Sequence, residues 1–524
     1  MSAAPAEHPH SERRMRLTLF AMCFALFMIM LDNTVVNVAL PTIQRDLDPS
    51  ISGLQWIINA YILVFAALIL LGGKLGDRFG RKRMFLVGVV LFGVCSVLCA
   101  LAQTDGQLIA ARALQGTGAA LMNPLSLSIL VATFPRERLA GAIGMWAGIS
   151  GLGLAVGPLV GGILVDGVGW AAVFWINVPI SVIAFAVAVY AVRESRDDTV
   201  RSLDVVGTVI VTAGLFLLTY SVIGANDHPW VSWNALGLIA LALGLLALFC
   251  IWESRQEQPM VPLGFFRSRV FSTSIIVAVL VGFGLFGSIY VITLYMQNIQ
   301  GYSAVGAGLR TLPLTLVVLA VSPMAGKLNA RFGSARLMAA GMLLAGVAMA
   351  GLTLTDVDSS YNLMWPFYVL LGAGLALAMP AMSAAAMGAI DPRKAGVGSG
   401  VLNASRQVGG ALGIAILGSV AAAVTASRWA DETGRVGGRL AENADRLLPL
   451  VEGAQGELIR RFAGEQVWLL AANAWLRGFH TALWFGAALM ALAIVAILVG
   501  FRGLGPRPAV QPDDADAVPV PVEL

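Results

Sequence analysis

One carboxylate, Asp32, stands inside an apolar run covering about 17–40, and one guanidinium, Arg112, stands inside another covering about 107–131. Charge in a hydrocarbon core is costly, so such groups face a bundle interior and carry function by default. A carboxylate there is suited to loading and releasing a proton, and a neighbouring guanidinium favours its charged form. With a helical rise of about 1.5 Å per residue, Asp32 lies roughly 12 Å and Arg112 roughly 8 Å below the outer ends of their runs. At those depths the two can meet. The reading is that Asp32 is the proton-coupling carboxylate and Arg112 its tuning partner; a permanent structural ion pair is the alternative left open.

A second acid, Asp77, lies in the basic turn Gly73-Lys74-Leu75-Gly76-Asp77-Arg78-Phe79-Gly80-Arg81-Lys82-Arg83 between two apolar runs. A degenerate copy, from Gly326 to Arg336, recurs in the second half with Ala330 in the place of Asp77. Topology alone explains the Lys and Arg, but not the Gly, Leu and Phe at matching offsets. Two related halves of this sort characterise secondary transporters, whose halves move against each other around a central site.

The elements that position these residues are membrane spans. The 524 residues are 58% hydrophobic and 12% charged with a mean hydropathy of +0.81, which excludes a soluble globular protein. Runs long enough to cross are expected near 17–40, 54–72, 84–103, 107–131, 139–165, 170–192, 203–223, 235–253, 271–298, 304–326, 336–354, 363–390, 397–424 and 477–501. Basic residues cluster in alternate loops, at Arg13 to Arg16, Lys74 to Arg83, Arg136 and Arg138, Arg193 to Arg201, and onward to Arg502. The positive-inside rule then makes both termini cytoplasmic. The basic residues are dispersed and no nucleic-acid module is visible, so nucleic acid is excluded as a partner. Cys23, Cys95, Cys99 and Cys250 fall inside spans and read as packing residues; His8, His10, His228 and His480 have no metal-ligand spacing. No cleavable signal is expected, and residues 502–524 read as a disordered tail. The excess of Arg over Lys, with abundant Ala and Gly, hints at a GC-rich bacterial genome.

Four motifs in order carry a resemblance over nearly the whole chain. The turn from Gly73 to Arg83 resembles the signature loop of the major facilitator superfamily. Leu31 to Pro41 resembles the first-span motif of its fourteen-helix drug:proton antiporters, Arg112-Ala113-Leu114-Gln115-Gly116-Thr117-Gly118 their arginine motif, and Gly153 to Gly162 their antiporter motif. The resemblance implies an all-α polytopic membrane protein of the major facilitator fold: a tail 1–16, a six-helix bundle 17–192, two inserted helices within 193–270, and a second bundle 271–501. It implies proton-driven export of amphipathic drugs or antibiotics from the cytoplasm through the inner membrane, by a monomer in membrane lipid without a cofactor. Asp77, with Arg78, Arg81, Gly73, Gly76 and Gly80, is expected to latch the cytoplasmic side against the start of the thirteenth span near Gly398 and Ser399. Gly153, Gly157, Pro158, Gly161 and Gly162 are expected to form a close, bendable seam; their link to export rests on the resemblance.

Polar, aromatic and Met positions that interrupt apolar faces suggest an amphipathic substrate site: Asn33, Asn37, Asn59, Tyr61, Met122, Asn123, Tyr290, Tyr295, Gln297 and Asn403. Arg406 either neutralises an acidic group on the substrate or caps backbone carbonyls. With deep carboxylates scarce, neutral or monocationic amphiphiles are the expected cargo. The segment 425–476 reads as one long outward loop, with 455–476 able to form an amphipathic surface helix. Export of an endogenous lipid, siderophore or secondary metabolite fits the same residues; nutrient symport fits less well. No phosphate loop, paired metal ligands or nucleophile with a base argues for an enzyme.

Overall fold

The computed structural model describes residues 12–196, 204–224, 233–256, 259–390, 395–453 and 455–502, which are helical with no strand among them. A bilayer offers the backbone no hydrogen bonds, so each crossing segment satisfies its own N–H and C=O groups as a helix. The N-terminal half holds α1 (Glu12–Leu47), α2 (Ile51–Phe79), α3 (Arg81–Ala100), α4 (Asp105–Thr133), α5 (Arg136–Gly167), α6 (Ala172–Trp175) and α7 (Asn177–Ala191). The inserted pair is α8 (Val205–Ile223) and α9 (Trp233–Glu253). The C-terminal half holds α10 (Arg269–Gly282), α11 (Ser288–Leu294), α12 (Ala304–Phe332), α13 (Ser334–Leu352), α14 (Tyr361–Met387), α15 (Ala395–Val436), three short helices α16 (Gly438–Glu442), α17 (Ala444–Glu452) and α18 (Gly456–Ala463), and α19 (Glu465–Gly500). Among the described residues, thirteen helical segments are long and apolar enough to cross a bilayer. The helix α5 runs 32 residues, and its described apolar stretch is Val156–Gly167. Below, the inner side is the side of the basic turn that follows α2.

Helix starts carry the expected caps: Ser50, Thr104 and Ser303 accept the backbone N–H of Gly53, Gln107 and Gly306. The repeat is visible in the backbone as well as the sequence. Gly80 (φ 109°) and Gly333 (φ 82°) end α2 and α12 in the same way, each donating its N–H to the carbonyl four residues back. Both have a positive φ that favours glycine, so a side chain at either would strain the turn.

The halves meet along two seams. On one, α5 lies between α1 and α12, and a Cβ built on Gly162 would come 2.7 Å from the Ala304 carbonyl oxygen. On the other, α2 faces α15, with Leu70 against Gly400 and Gln55 against Gly418. The outer end of α8 covers this second seam. The Trp56 ring of α2 packs 5.1 Å from Phe216, and Ser419 of α15 donates to the Val222 carbonyl at 2.9 Å. The inserted pair therefore touches both halves.

Much of the outward segment expected over 425–476 is helical. α15 runs 42 residues and α19 runs 36, so both continue past the bilayer and leave the connection at 437–464. The surface helix expected over 455–476 is broken at Gly464 (φ 90°), which separates α18 from α19. Trp429 and Trp475, on the projecting ends, donate their indole N–H to the carbonyls of Ala444 and Glu452, clamping α17 between them.

Candidate functional site

Asp32 and Arg112 do meet. Arg112 Nη1 lies 2.5 Å from Asp32 Oδ2, and both residues are 1% exposed. The other carboxylate oxygen, Oδ1, accepts Asn177 Nδ2 of α7 at 2.8 Å and Gln115 Nε2 of α4 at 3.1 Å. Gln115 is itself held by Ser96 of α3, with Nε2 to Oγ at 2.8 Å, and accepts Arg112 Nη1 at 2.6 Å. Arg112 Nε reaches the Ile57 carbonyl of α2 at 3.3 Å, while its guanidinium lies 4.2 Å from the Tyr61 ring centre. An ionised carboxylate only accepts hydrogen bonds, whereas a protonated one carries a donor. A proton added to Asp32 therefore conflicts with at least one of the three donors around it and loosens its pair with Arg112.

This network lies wholly within the N-terminal half, but α2 extends it to the seam. Ile57 and Tyr61 lie on the face of α2 turned to Arg112. Gln55 and Asn59, also four residues apart, share another face, and Gln55 meets Gly418 there. The Tyr290 ring approaches the same glycine, its Cε1 3.1 Å from a Cβ built on Gly418. The Gln55 amide and the Tyr290 hydroxyl are buried facing each other, and the buried Asn59 amide has no hydrogen-bond partner among the described residues. Buried polar groups are ordinarily paired. An incompletely paired set where the two halves meet is suited to receive a polar ligand group. Tyr290 sits between two π-helical turns, Phe283–Gly287 and Tyr295–Ile299, a distortion that often marks functional helix segments.

The other expected cavity residues divide. Asn123 and Asn403 pair across the seam at 3.2 Å, and Arg406 donates to Asn403 Oδ1 at 2.8 Å. Gln297 also crosses, donating to the Val38 carbonyl at 3.0 Å on the outer side. Asn33 and Asn37 turn their amides onto carbonyls of their own helix, those of Ile29 and Asn33, and Met122 is fully buried. Tyr295 faces the outer end of its own half rather than the seam. Its hydroxyl donates to the Asp356 carbonyl and its ring stacks 4.9 Å from Phe479, so it packs the outer end of the C-terminal half.

At the inner end, Asp77 accepts Arg81 Nε at 2.8 Å and does not seat against α15; the nearest neighbours of a Cβ on Gly398 are Ile390 and Met387. A full guanidinium charge one turn away competes well with the roughly half charge at a helix end. Arg78 lies over Phe79, and Gly76 packs against Leu125. The turn is instead fastened within its own half by Glu194, whose carboxylate accepts the backbone N–H groups of Lys82 and Arg83 at 3.0 and 3.2 Å. At the outer end the contact of helix start and acid does occur between the halves: Asp166, closing α5, accepts the N–H groups of Ala304 and Val305 at the start of α12 at 3.2 and 3.0 Å. Gly157 and Gly161 pack on α1, while Gly162 and Pro158 pack on α12, Pro158 against Gly308. Gly153 approaches the Phe27 carbonyl.

Gln55, Ser96, Asn177, Asp166 and Glu194 were not singled out by the sequence for these roles. Asn177 had a signal, an amide in an apolar run just before Pro179. Among the described residues no group of His, Cys, Asp and Glu is arranged to hold a metal.

The family model described as Major Facilitator Superfamily matches residues 22–414. The tetracenomycin C resistance and export protein of Streptomyces glaucescens is 38% identical over 419 residues, covering 79% of this chain and 78% of that protein. The multidrug resistance protein Stp of Mycobacterium tuberculosis is 36% identical over 78% of this chain and 76% of its own, and the methylenomycin A resistance protein of Streptomyces coelicolor 36% over 80% and 89%. Among solved structures, an inward-facing bacterial homologue of the human lysosomal transporter Spinster aligns with a TM-score of 0.64 at 19% identity, over 94% of this chain and 98% of that one. An auto-inhibited peptide transporter of the POT family aligns with 0.64 at 18%, over 95% and 99%. These two alignments bear on the fold alone.

Proposed function

Because the chain belongs to the Major Facilitator Superfamily, we propose that it is a secondary transporter that exports amphipathic drugs or antibiotics across the cytoplasmic membrane, in exchange for protons, by alternating access. The named resistance and export proteins among its relatives support the cargo. The observation that carries the coupling is the Asp32 network: a buried carboxylate, held by Arg112, Gln115 and Asn177, joined through α2 to incompletely paired polar groups at the seam. Proton binding at Asp32 releases Arg112 from it. Arg112 also grips the Ile57 carbonyl and lies against Tyr61, so the release is felt by α2. Motion of α2 then alters the Gln55 side of the substrate site.

Alternating access needs closures at both faces. Asp166 on the start of α12 is the outer one, closed in this conformation. Asp77 acts as the inner latch in the opposite state, when it leaves Arg81 for the start of α15. The protein works as a monomer with both termini inside and uses no cofactor. The test is transport into inside-out membrane vesicles by the full chain, with an anionic, a neutral and a cationic fluorescent amphiphile. Acidifying the vesicle lumen should drive at least one probe inward, and an uncoupler should abolish that movement. Uptake that ignores the proton gradient for every probe contradicts the proposal.

A further inference from the structure

The two deep arginines of the central region are provided for very differently. Arg112 has a carboxylate, an amide, a backbone carbonyl and an aromatic face. Arg406 lies eleven residues into α15, about 16 Å along the helix, and its hydrogen bond among the described residues goes to the neutral Asn403 amide. No carboxylate pairs with it among the described residues, and it caps no backbone carbonyl there. It is only partly buried, and Asn403 in turn reaches Asn123 of the opposite half. The Arg406 guanidinium therefore stands at the seam with most of its five N–H donors uncommitted to protein.

A cation within a membrane protein faces a partner or a water-filled path, and here the protein supplies no counter-charge. The deep carboxylate Asp32 cannot act as one, because it is enclosed in the N-terminal half and paired with Arg112. Arg310, six residues into α12 from its outer end, is a further cation of the C-terminal half. It stacks 3.8 Å from the Tyr302 ring centre, donates to its own helix at Gly306, and its Nε has no partner among the described residues. At Arg406 the seam thus carries positive charge with no carboxylate paired to it among the described residues.

We propose that Arg406 is the anchor of the substrate site and that it selects amphiphiles bearing an anionic or acidic oxygen group, a carboxylate, sulfonate or acidic phenol. A planar guanidinium matches such groups with paired, charge-assisted hydrogen bonds. Asn123 and Asn403 flank the anchor with amides, and Gln55 and Tyr290 supply neutral polar contacts further out along α15. A cationic amphiphile meets repulsion at Arg406 with no carboxylate to offset it, which reverses the neutral or monocationic preference expected from sequence. The inference rests on the export reading for the word substrate, but binding alone tests it.

The test uses the full chain in nanodiscs of zwitterionic lipid and three probes sharing one apolar body: pyrenebutyrate, its methyl ester, and pyrenebutyl-trimethylammonium, with binding read by energy transfer from tryptophan. The anion should bind at least about tenfold more tightly than the cation, the scale of one charge-assisted contact. Arg406→Gln should bring the anion close to the ester, and Arg406→Lys should keep most of the preference. Equal binding of anion and cation by the wild type, or an anion preference that survives Arg406→Gln, overturns the proposal. If Arg406→Gln does not fold, the wild-type series of three probes still decides. Anion-selective binding without proton-driven transport would sink the export reading and leave this inference standing.

Discussion

A fully buried pair such as Asp32 and Arg112 contributes little net stability when intact, yet removing one partner strands the other, at a cost of about 3–5 kcal/mol. Arg112→Gln should therefore lower the thermal unfolding midpoint of the purified protein strongly. Adding Asp32→Asn to it replaces the stranded charge with a neutral amide, and the double variant should recover most of the loss. Equal melting of single and double variants would mean that the pair is not the coupled unit described. Asp32 and Arg112 were legible in the sequence because each is a lone charge in an apolar run, and their depths along two helices predicted that they could pair. Asn177 and Ser96 were not, because an uncharged polar residue in a span has many possible partners, and only the packing of α3, α4 and α7 around α1 selects Asp32 as the centre. Gln55 was not either, because only the packing of α2 on α15 brings it to Gly418. Asn177→Ala removes one hydrogen bond to a charged group, worth about 1.5–3 kcal/mol, and should slow gradient-driven transport without eliminating it.

The helices α5 and α12 close the outer face by backbone approach at Gly162 and by the Asp166 carboxylate on the start of α12. Their close packing was foreseen from the glycine spacing, but the contact with α12 was not, since spacing shows which face is smooth and not which helix it meets. Gly162→Leu should wedge the seam apart and favour the outward-open state. Asp166→Asn should weaken it by about 0.3–1 kcal/mol, up to ~2 in a partly buried setting, a several-fold shift in population. Both are read as faster labelling, by an external membrane-impermeant maleimide, of a Thr311→Cys substitution in a background lacking the native cysteines; Thr311 lines the closed seam together with Pro158 and Gly308. Unchanged labelling in both variants would remove α5 and α12 from the gating account. The helices α15 and α19 run on beyond the spans expected for them for a related reason: hydropathy ends where the bilayer ends, whereas a helix continues as long as its backbone is capped and packed, here beside Trp429 and Trp475.

Across the whole molecule, the repeated turn at Gly80 and Gly333 carries the two-fold plan from sequence into structure, while the chemistry is divided unequally between the copies. The N-terminal half holds the Asp32 network, the C-terminal half holds Arg406, which has no carboxylate partner among the described residues, and α2 connects the halves along the seam. The proposed coupling of the gradient to cargo resides in the protonation of Asp32. Its most direct test is reconstitution of wild type and Asp32→Asn in proteoliposomes, using the probe that the wild type transports, with gradient-driven accumulation measured beside substrate exchange at equal pH on both sides. Asp32→Asn should keep exchange, which needs no net proton movement, and lose the response to the gradient. Full gradient-driven accumulation by Asp32→Asn would contradict it.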